Sequence, residues 1–587
     1  MNDFGPGFAD AVSQVKNGES LDFGEDGKVS GQRGNWFRGI GWWLVLGLGM
    51  LVLLGRLVQL QAIDGGKNRM LADEQRIRLV QVPAPRGLIM DRNNEPLVQN
   101  RPIFRRLLVN EKSGVQLEPI SRDKALEMEV EGFEPSIVEG VGRRYLFGPT
   151  LAHLLGYVGE VSAEELADKS LGYELGDLVG RAGVEVAYDK WLKGENGARL
   201  VEVDTAGRLV RQVGDRKAVP GRRLDLTIDL NLQKVAETAL QGKKGAIVVT
   251  KPETSEVLAL VSWPSYDPEI LDPMNAEVYK DEIMALFNNE EWPLVNRAVS
   301  AVYAPGSTFK IVTAAAALEE ALIDENYVYE DTGIVRSGDY EYKNWYLTQY
   351  GGKEGLIGIN RAIARSTDTF FYKTGEMVGA QKLADWGRKF GLGSLTGIGL
   401  GEEVAGLVPD PEWKLKTIGE PWYLGNTYHM AIGQADLLAT PLQVNMMTGV
   451  IVNGGKWCKP YLVQNPESRI QNPELINNGC KQIGLGEKTI QLIKEGMIGA
   501  CSPGGVAFPL FDFKPQVACK TGTAEYGPAD KAGYRKTHAW LTAFAPADKP
   551  EIVVTVLLEG GGEGSRDAAP VARKVLEGWK EMSNDKI

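Results

Sequence analysis

Pro305-Gly306-Ser307-Thr308-Phe309-Lys310 precedes an Ala-rich run over residues 311–322 whose apolar spacing predicts a helix. A serine and a lysine three residues apart share one helix face. If the helix begins at Ser307, the hydroxyl lies over the positive end of the helix dipole and the lysine amine one turn later points at the same oxygen. That is the layout of a serine nucleophile with a lysine base. Alone the pattern is weak, because an N-cap serine followed by a solvated lysine looks the same.

Two later segments add to it. Ser366-Thr367-Asp368 lies in a second stretch of helical pattern, 59 residues on. Lys520-Thr521-Gly522-Thr523 follows after a further 154 residues and closes an apolar, strand-like run that starts near Pro515. In this order and spacing the three segments resemble the active-site motifs of penicillin-recognising enzymes. The chain resembles a class B, monofunctional penicillin-binding protein, most closely the elongation-type penicillin-binding protein 2 group.

The chain has 587 residues, 43% of them apolar, which allows more than one folded domain. A formal charge of −12 with no basic cluster argues against nucleic acid as a partner. Residues 1–35 are Gly-rich, mixed in charge and without apolar periodicity, and are expected to form a mobile cytoplasmic tail. Residues 39–55 are 17 uncharged residues between Arg38 and Arg56, with Trp36, Trp42 and Trp43 at one end. At ~1.5 Å per residue they span roughly 26 Å, close to a ~30 Å hydrocarbon core. A single uncleaved membrane helix over 36–60 is expected; no small-x-small cleavage site follows. Charge counting does not orient it. A cell-wall substrate would place the catalytic part outside the cytoplasm, with the helix in the bacterial cytoplasmic membrane.

Residues 80–100 contain Pro85-Arg86-Gly87, Asp91-Arg92-Asn93 and Leu97, and a second block holds Gly180, Gly183, Glu185, Tyr188, Leu192 and Gly194. Both resemble the pedestal domain of class B proteins. Neither contains a nucleophile or an acid pair, so a scaffolding role is expected, with glycines in turns and Arg or Asp in ion pairs between segments. The pedestal is assigned to 61–235 and the penicillin-binding transpeptidase domain to 236–583.

In the second part a helix is expected over 230–240 and strands over 245–250, 256–262, 516–521, 538–545 and 551–558, with a terminal helix over 568–582. Two strands in front, a helical middle and three strands behind predict one five-stranded antiparallel sheet inside an α/β/α sandwich. The fold class expected for the whole is α/β: a single membrane helix, an elongated α+β pedestal and this sandwich.

The resemblance implies further roles. Ser307 would attack the penultimate D-Ala carbonyl of a peptidoglycan stem peptide, Lys310 would take its proton, and Ser366 would relay a proton to the leaving D-Ala. Backbone N–H groups of Ser307 and Thr523 would hold the oxyanion. Lys520 and Thr521 would bind a terminal or β-lactam carboxylate, and Gly522 would leave room for substrate along the strand. Asp368 stands where many relatives have Asn; a carboxylate only accepts, so pairing with protonated Lys310 is its expected use.

Some elongation-type relatives carry a metal near the site. Residues 311–365 contain no His or Cys, and neither zinc nor any cofactor is expected. His153, His429 and His538 are read as structural, with His538 able to line the cleft. Gly433, Gln434 and the run Thr440-Pro441-Leu442-Gln443 are read as packing and helix initiation.

The four cysteines suggest the pairs Cys458 with Cys480 and Cys501 with Cys519, although three connectivities and four free thiols remain open. Expected partners are stem peptides, β-lactams, a SEDS-type membrane glycosyltransferase and other elongation-complex proteins. A D,D-carboxypeptidase and a non-catalytic β-lactam sensor or scaffold are the competing readings.

Overall fold

The five apolar runs of the C-terminal part are long enough for strands and too continuous to face water on one side, so they require cover on both faces. The computed structural model describes residues 36–68, 70, 77–110, 114–130, 137–203, 209–464, 479–531, 533 and 535–584. The expected N-terminal tail, 1–35, lies outside them. Two units are distinguished, Met1–Arg78 and Leu79–Ile587.

In the first unit, Trp36–Val58 is α-helical and continues as a π-helical turn over Gln59–Ile63. Gly41–Ile63 is long and apolar enough to cross a membrane, the one such helix among the described residues, and its side chains are exposed within the chain.

In the second unit the sheet is built from β1 (Gly245–Thr250), β2 (Val257–Trp263), β3 (Ala518–Tyr526), β4 (Lys536–Ala545) and β5 (Ile552–Leu558). The order is β2-β1-β5-β4-β3, antiparallel throughout, with Ile247 opposite Val261, Val248 opposite Thr555 and Thr521 opposite Leu541. One face packs on helix Leu230–Leu240 and the terminal helix Ala569–Asn584, through Leu232, Ala236, Val554, Val571 and Val575. The other packs on helices Lys310–Glu319, Pro441–Val452 and Glu487–Ala500, through Ala315, Val444, Ile493, Trp540 and Phe544. The expected five-stranded sandwich is present.

Local signals explain the helix starts. Asp229 caps Leu230–Leu240 by accepting from the N–H groups of Asn231 and Leu232. Thr440 and Gln443 form a capping box ahead of Pro441, which sits at the first helical turn as its fixed φ favours. Helix Leu230–Leu240 runs across residue 235, where the sequence divides the two domains, and its apolar side belongs to the sheet's core.

The N-terminal part of this unit centres on antiparallel strands Pro96–Asn110, Gly114–Ile120 and Ile137–Tyr145. The two sequence blocks meet here. Arg86 of the first donates to Glu185 (2.8 Å) and Asp189 (2.9 Å) of the second, and Arg143 donates to the other Glu185 oxygen at 2.8 Å, all buried. Asp91 does not pair with a cation in this network; it closes a turn by accepting from the N–H groups of Asn93 and Glu95.

The cysteines are joined as Cys458–Cys480 and Cys501–Cys519. The second bond ties the end of helix Glu487–Ala500 to β3 one residue before Lys520.

Candidate active site

Ser307 lies in a tight 3₁₀ turn, Gly306–Phe309, and the α-helix proper begins at Lys310. The turn is pressed against β3. Gly306 N–H donates to the Gly433 carbonyl (2.8 Å), and Gln434 Nε2 donates to the Thr523 carbonyl (3.1 Å), so the Gly433-Gln434 segment clamps turn and strand together. A Cβ on Gly433, whose φ is +74°, would stand 2.1 Å from the Gly306 carbonyl oxygen; only glycine fits.

The Lys310 amine departs from the sequence expectation. It is fully buried and donates to the Ser366 carbonyl (2.8 Å), Ser366 Oγ (3.2 Å) and Asp368 Oδ1 (2.6 Å). None of these is Ser307. The 3₁₀ turn still keeps residues 307 and 310 on one face, since side chains three apart eclipse there, but the amine's hydrogen bonds run to the Ser366–Asp368 segment.

Ser366 is not inside a helix either. It is a left-handed residue (φ +54°) at the junction of helices Ile359–Arg365 and Asp368–Val378. Such a backbone is unfavourable for a side chain with a Cβ and is held by its surroundings. Here it delivers the hydroxyl to both lysines: Lys520 Nζ donates to Ser366 Oγ at 2.8 Å. Two amines occupying the oxygen's lone pairs leave the hydroxyl proton as its donor.

Lys520 is also fully buried and makes its second bond to the Thr521 carbonyl at 3.0 Å. It stands within β3, which continues to Tyr526, and not at the strand's end. Its amine therefore reaches inward to Ser366. Gly522 differs from expectation in the same way: a Cβ there would meet the Pro305 carbonyl oxygen and Trp540 Cβ at 3.0 Å and Thr308 Cγ2 at 3.2 Å. Its missing side chain lets the strand close on the Ser307 turn. Thr521 is buried, while Thr523 is part-exposed on the sheet's edge strand, its hydroxyl accepting from Gly564 N–H at 3.3 Å.

Burial pushes both lysines down. For Lys310 the desolvation is opposed by the adjacent Asp368 carboxylate, and the net direction is downward. Lys520 is driven well below the usual lysine range by burial and by its proximity to Lys310, against Asp368. One carboxylate thus faces two buried amines, and burial eases the loss of a proton from the pair beside Ser366.

Sequence reasoning missed the residues behind Asp368. Trp345 N–H donates to Asp368 Oδ2 (3.0 Å), and the buried Asn344 side chain accepts from Asp368 N–H (3.2 Å). An Asn ahead of a short helix reads as a cap, which concealed this use. His538, opposite Ala524, stacks on Tyr526 at 3.9 Å and accepts from Gly560 N–H at 3.2 Å, a packing role at the rim.

Comparison with known proteins identifies the family. Residues 245–577 match the penicillin-binding protein transpeptidase domain and residues 109–226 the penicillin-binding protein dimerisation domain. The peptidoglycan D,D-transpeptidase MrdA of Haemophilus influenzae is 34% identical, over 91% of this chain and 90% of that protein. The Helicobacter pylori penicillin-binding protein PBP2, solved in complex with MreC, superposes with a TM-score of 0.74 at 27% identity, covering 86% of this chain and 99% of that one. A chain from a peptidoglycan synthase complex described as coordinating polymerization and crosslinking superposes at 0.71 with 30% identity, over 93% and 98%. The chain therefore belongs to the penicillin-binding protein transpeptidases, in the monofunctional class B group that contains PBP2.

Proposed function

We propose that this protein is a serine-type peptidoglycan D,D-transpeptidase of cell elongation, and that Ser307 is its nucleophile. The observation that carries the reading is the convergence of two buried lysines of lowered pKa on Ser366 Oγ, next to the Ser307 turn. Ser307 Oγ bonds to the penultimate D-Ala carbonyl carbon and its proton passes to neutral Lys310. Collapse of the tetrahedral adduct breaks the peptide bond, and the proton returns through Ser366 to the departing D-Ala amine. The amine of a neighbouring stem peptide then attacks the acyl-enzyme, loses a proton to the same base and frees Ser307.

Backbone N–H groups of Ser307 and Thr523 hold the oxyanion; one such donor is worth about 3 kcal/mol. Lys520, wholly buried, acts on Ser366 and the local potential, while Thr521 and Thr523 on the edge strand meet the substrate carboxylate. Gly522 lets the strand approach the nucleophile turn, and Asp368 anchors Lys310.

The pedestal over 61–235 and the catalytic domain over 236–583 are part of this reading, supported by the two domain matches. So are a single-pass anchor in the bacterial cytoplasmic membrane, a catalytic domain outside the cytoplasm and a SEDS-type glycosyltransferase partner. The similarity to a PBP2 solved with MreC and to a chain of a synthase complex supports assembly with other elongation proteins.

The test is acylation of the detergent-solubilised full-length chain by a fluorescent penicillin, followed by donor and acceptor stem peptides. Labelling lost in Ser307→Ala, together with a cross-linked product, is the expected result. Wild type that takes no label sinks the acyl-enzyme; release of free acid without cross-links makes it a carboxypeptidase.

A further inference from the structure

Asn344 occupies the N-cap of helix Trp345–Tyr350, where an Asn side chain ordinarily accepts from a first-turn N–H. Here it makes no such bond. It is fully buried; its amide donates to Asp331 Oδ2 at 3.1 Å and its oxygen accepts from Asp368 N–H at 3.2 Å. The next peptide N–H, of Trp345, holds Asp368 Oδ2 at 3.0 Å, and the Trp345 indole is pinned to the Arg365 carbonyl at 3.0 Å.

Behind Asn344 stands Asp331, 1% exposed. Its Oδ1 accepts from Gly333 N–H (2.8 Å) and the Thr369 hydroxyl (2.7 Å), and its Oδ2 from Asn344 and Glu354 N–H (2.9 Å). Four protein donors fill this carboxylate, so it serves as a hydrogen-bond hub and not as a cation ligand. Asp331 also ties Asn344 to Thr369, the residue after Asp368, so the hub holds Asp368 from two sides.

We infer that Asn344, anchored on Asp331, is a positioning residue: it fixes the Asp368 carboxylate and, through it, the Lys310 amine. The inference rests on the reading of Ser307 as nucleophile and Lys310 as its base. An aspartate with one oxygen on Lys310 and the other on Trp345 N–H cannot swing, which holds the amine at one place and in one electrostatic setting. The charged and titratable groups facing this point are Asp368 and Lys520 around Lys310, and Tyr372 beside Asp368; the Phe371 ring lies 5.4 Å from the amine.

The test is the pH profile of acylation by a fluorescent penicillin, using the full-length chain with Asn344→Ser and Asn344→Ala. Serine still caps a helix but is too short to bridge Asp331 and Asp368. With Asp368 loosened, less negative potential holds the proton on Lys310. The acid limb should therefore move to lower pH, by about half a unit or more, and the plateau rate should fall about fivefold or more. Partial unfolding lowers the plateau without moving the limb. A limb unmoved in Asn344→Ser overturns the inference, whatever the plateau does. Ser307→Ala tests the underlying reading separately: label retained there defeats the nucleophile and leaves the Asn344 result without bearing on it.

Discussion

Lys310 Nζ and Asp368 Oδ1 lie 2.6 Å apart at a point where the amine has no exposure to solvent and the carboxylate side chain retains 13%. Burial lowers the Lys310 pKa and Asp368 raises it, so the state of the base at neutral pH depends on this contact. Removing the anion with Asp368→Asn should lower the pKa further and shift the acid limb of acylation down by about one pH unit. The pH dependence of the second-order labelling rate checks this; a limb displaced upward would contradict the assignment of Lys310 as base.

Lys520→Met should separate activity from stability. The substitution removes the amine 2.8 Å from Ser366 Oγ, and acylation is expected to fall about 100-fold. Stability should move the other way. The folded pKa lies well below the unfolded 10.5, so the folded chain binds fewer protons, and burying the lysine costs free energy at every pH below 10.5. Methionine avoids that cost and should gain about 1 kcal/mol at pH 7, read from denaturant titration.

Gly522→Ala places a methyl 3.0 Å from a backbone carbonyl and from Trp540 Cβ, neither of which is a flexible chain end. A loss of about 1 to 3 kcal/mol is expected, with slower acylation because β3 and the Gly306–Phe309 turn must separate. Unchanged melting and labelling would show that the strand relaxes without disturbing Ser307.

His153 is fully buried, accepts no charge readily and has its Nε2 2.7 Å from the Pro293 carbonyl; burial holds its pKa at about 4. Because the folded pKa lies below the unfolded 6.5, stability is complete above 6.5 and is lost as pH falls towards 4, by roughly 3 kcal/mol from this residue. His538, also held at about 4 by burial, adds in the same direction. His153→Gln should flatten the fall in stability between pH 7 and 4.5, measured by denaturant midpoints.

The Cys501–Cys519 bond closes a loop with a sequence separation of 18 and holds β3 at its active-site end. Replacing both by alanine should cost about 3 kcal/mol in the chain-entropy account. Labelling by penicillin under mild denaturant should be lost earlier than in wild type, since the strand carrying Lys520 is the one released.

Much of this molecule is a matter of local chemistry. Continuous apolar runs between turn residues dictate five strands buried on both faces; Asp229 and Thr440-Pro441 start their helices; and Ser307, Lys310, Ser366 and Lys520 stand out because their order and spacing resemble the motifs of penicillin-recognising enzymes. Periodicity reports only which residues of one segment share a face. It is silent about partners across 56 or 154 residues, which are the separations that join Lys310 and Lys520 to Ser366. The Lys310 amine bonds to Ser366 and Asp368, a left-handed Ser366 breaks what reads as one helix, and Gly522 lies against the Ser307 turn. Asn344, indistinguishable in sequence from a helix cap, reaches Asp331 and Asp368 because the folded chain brings all three into one buried cluster, where each polar group must find a partner other than water.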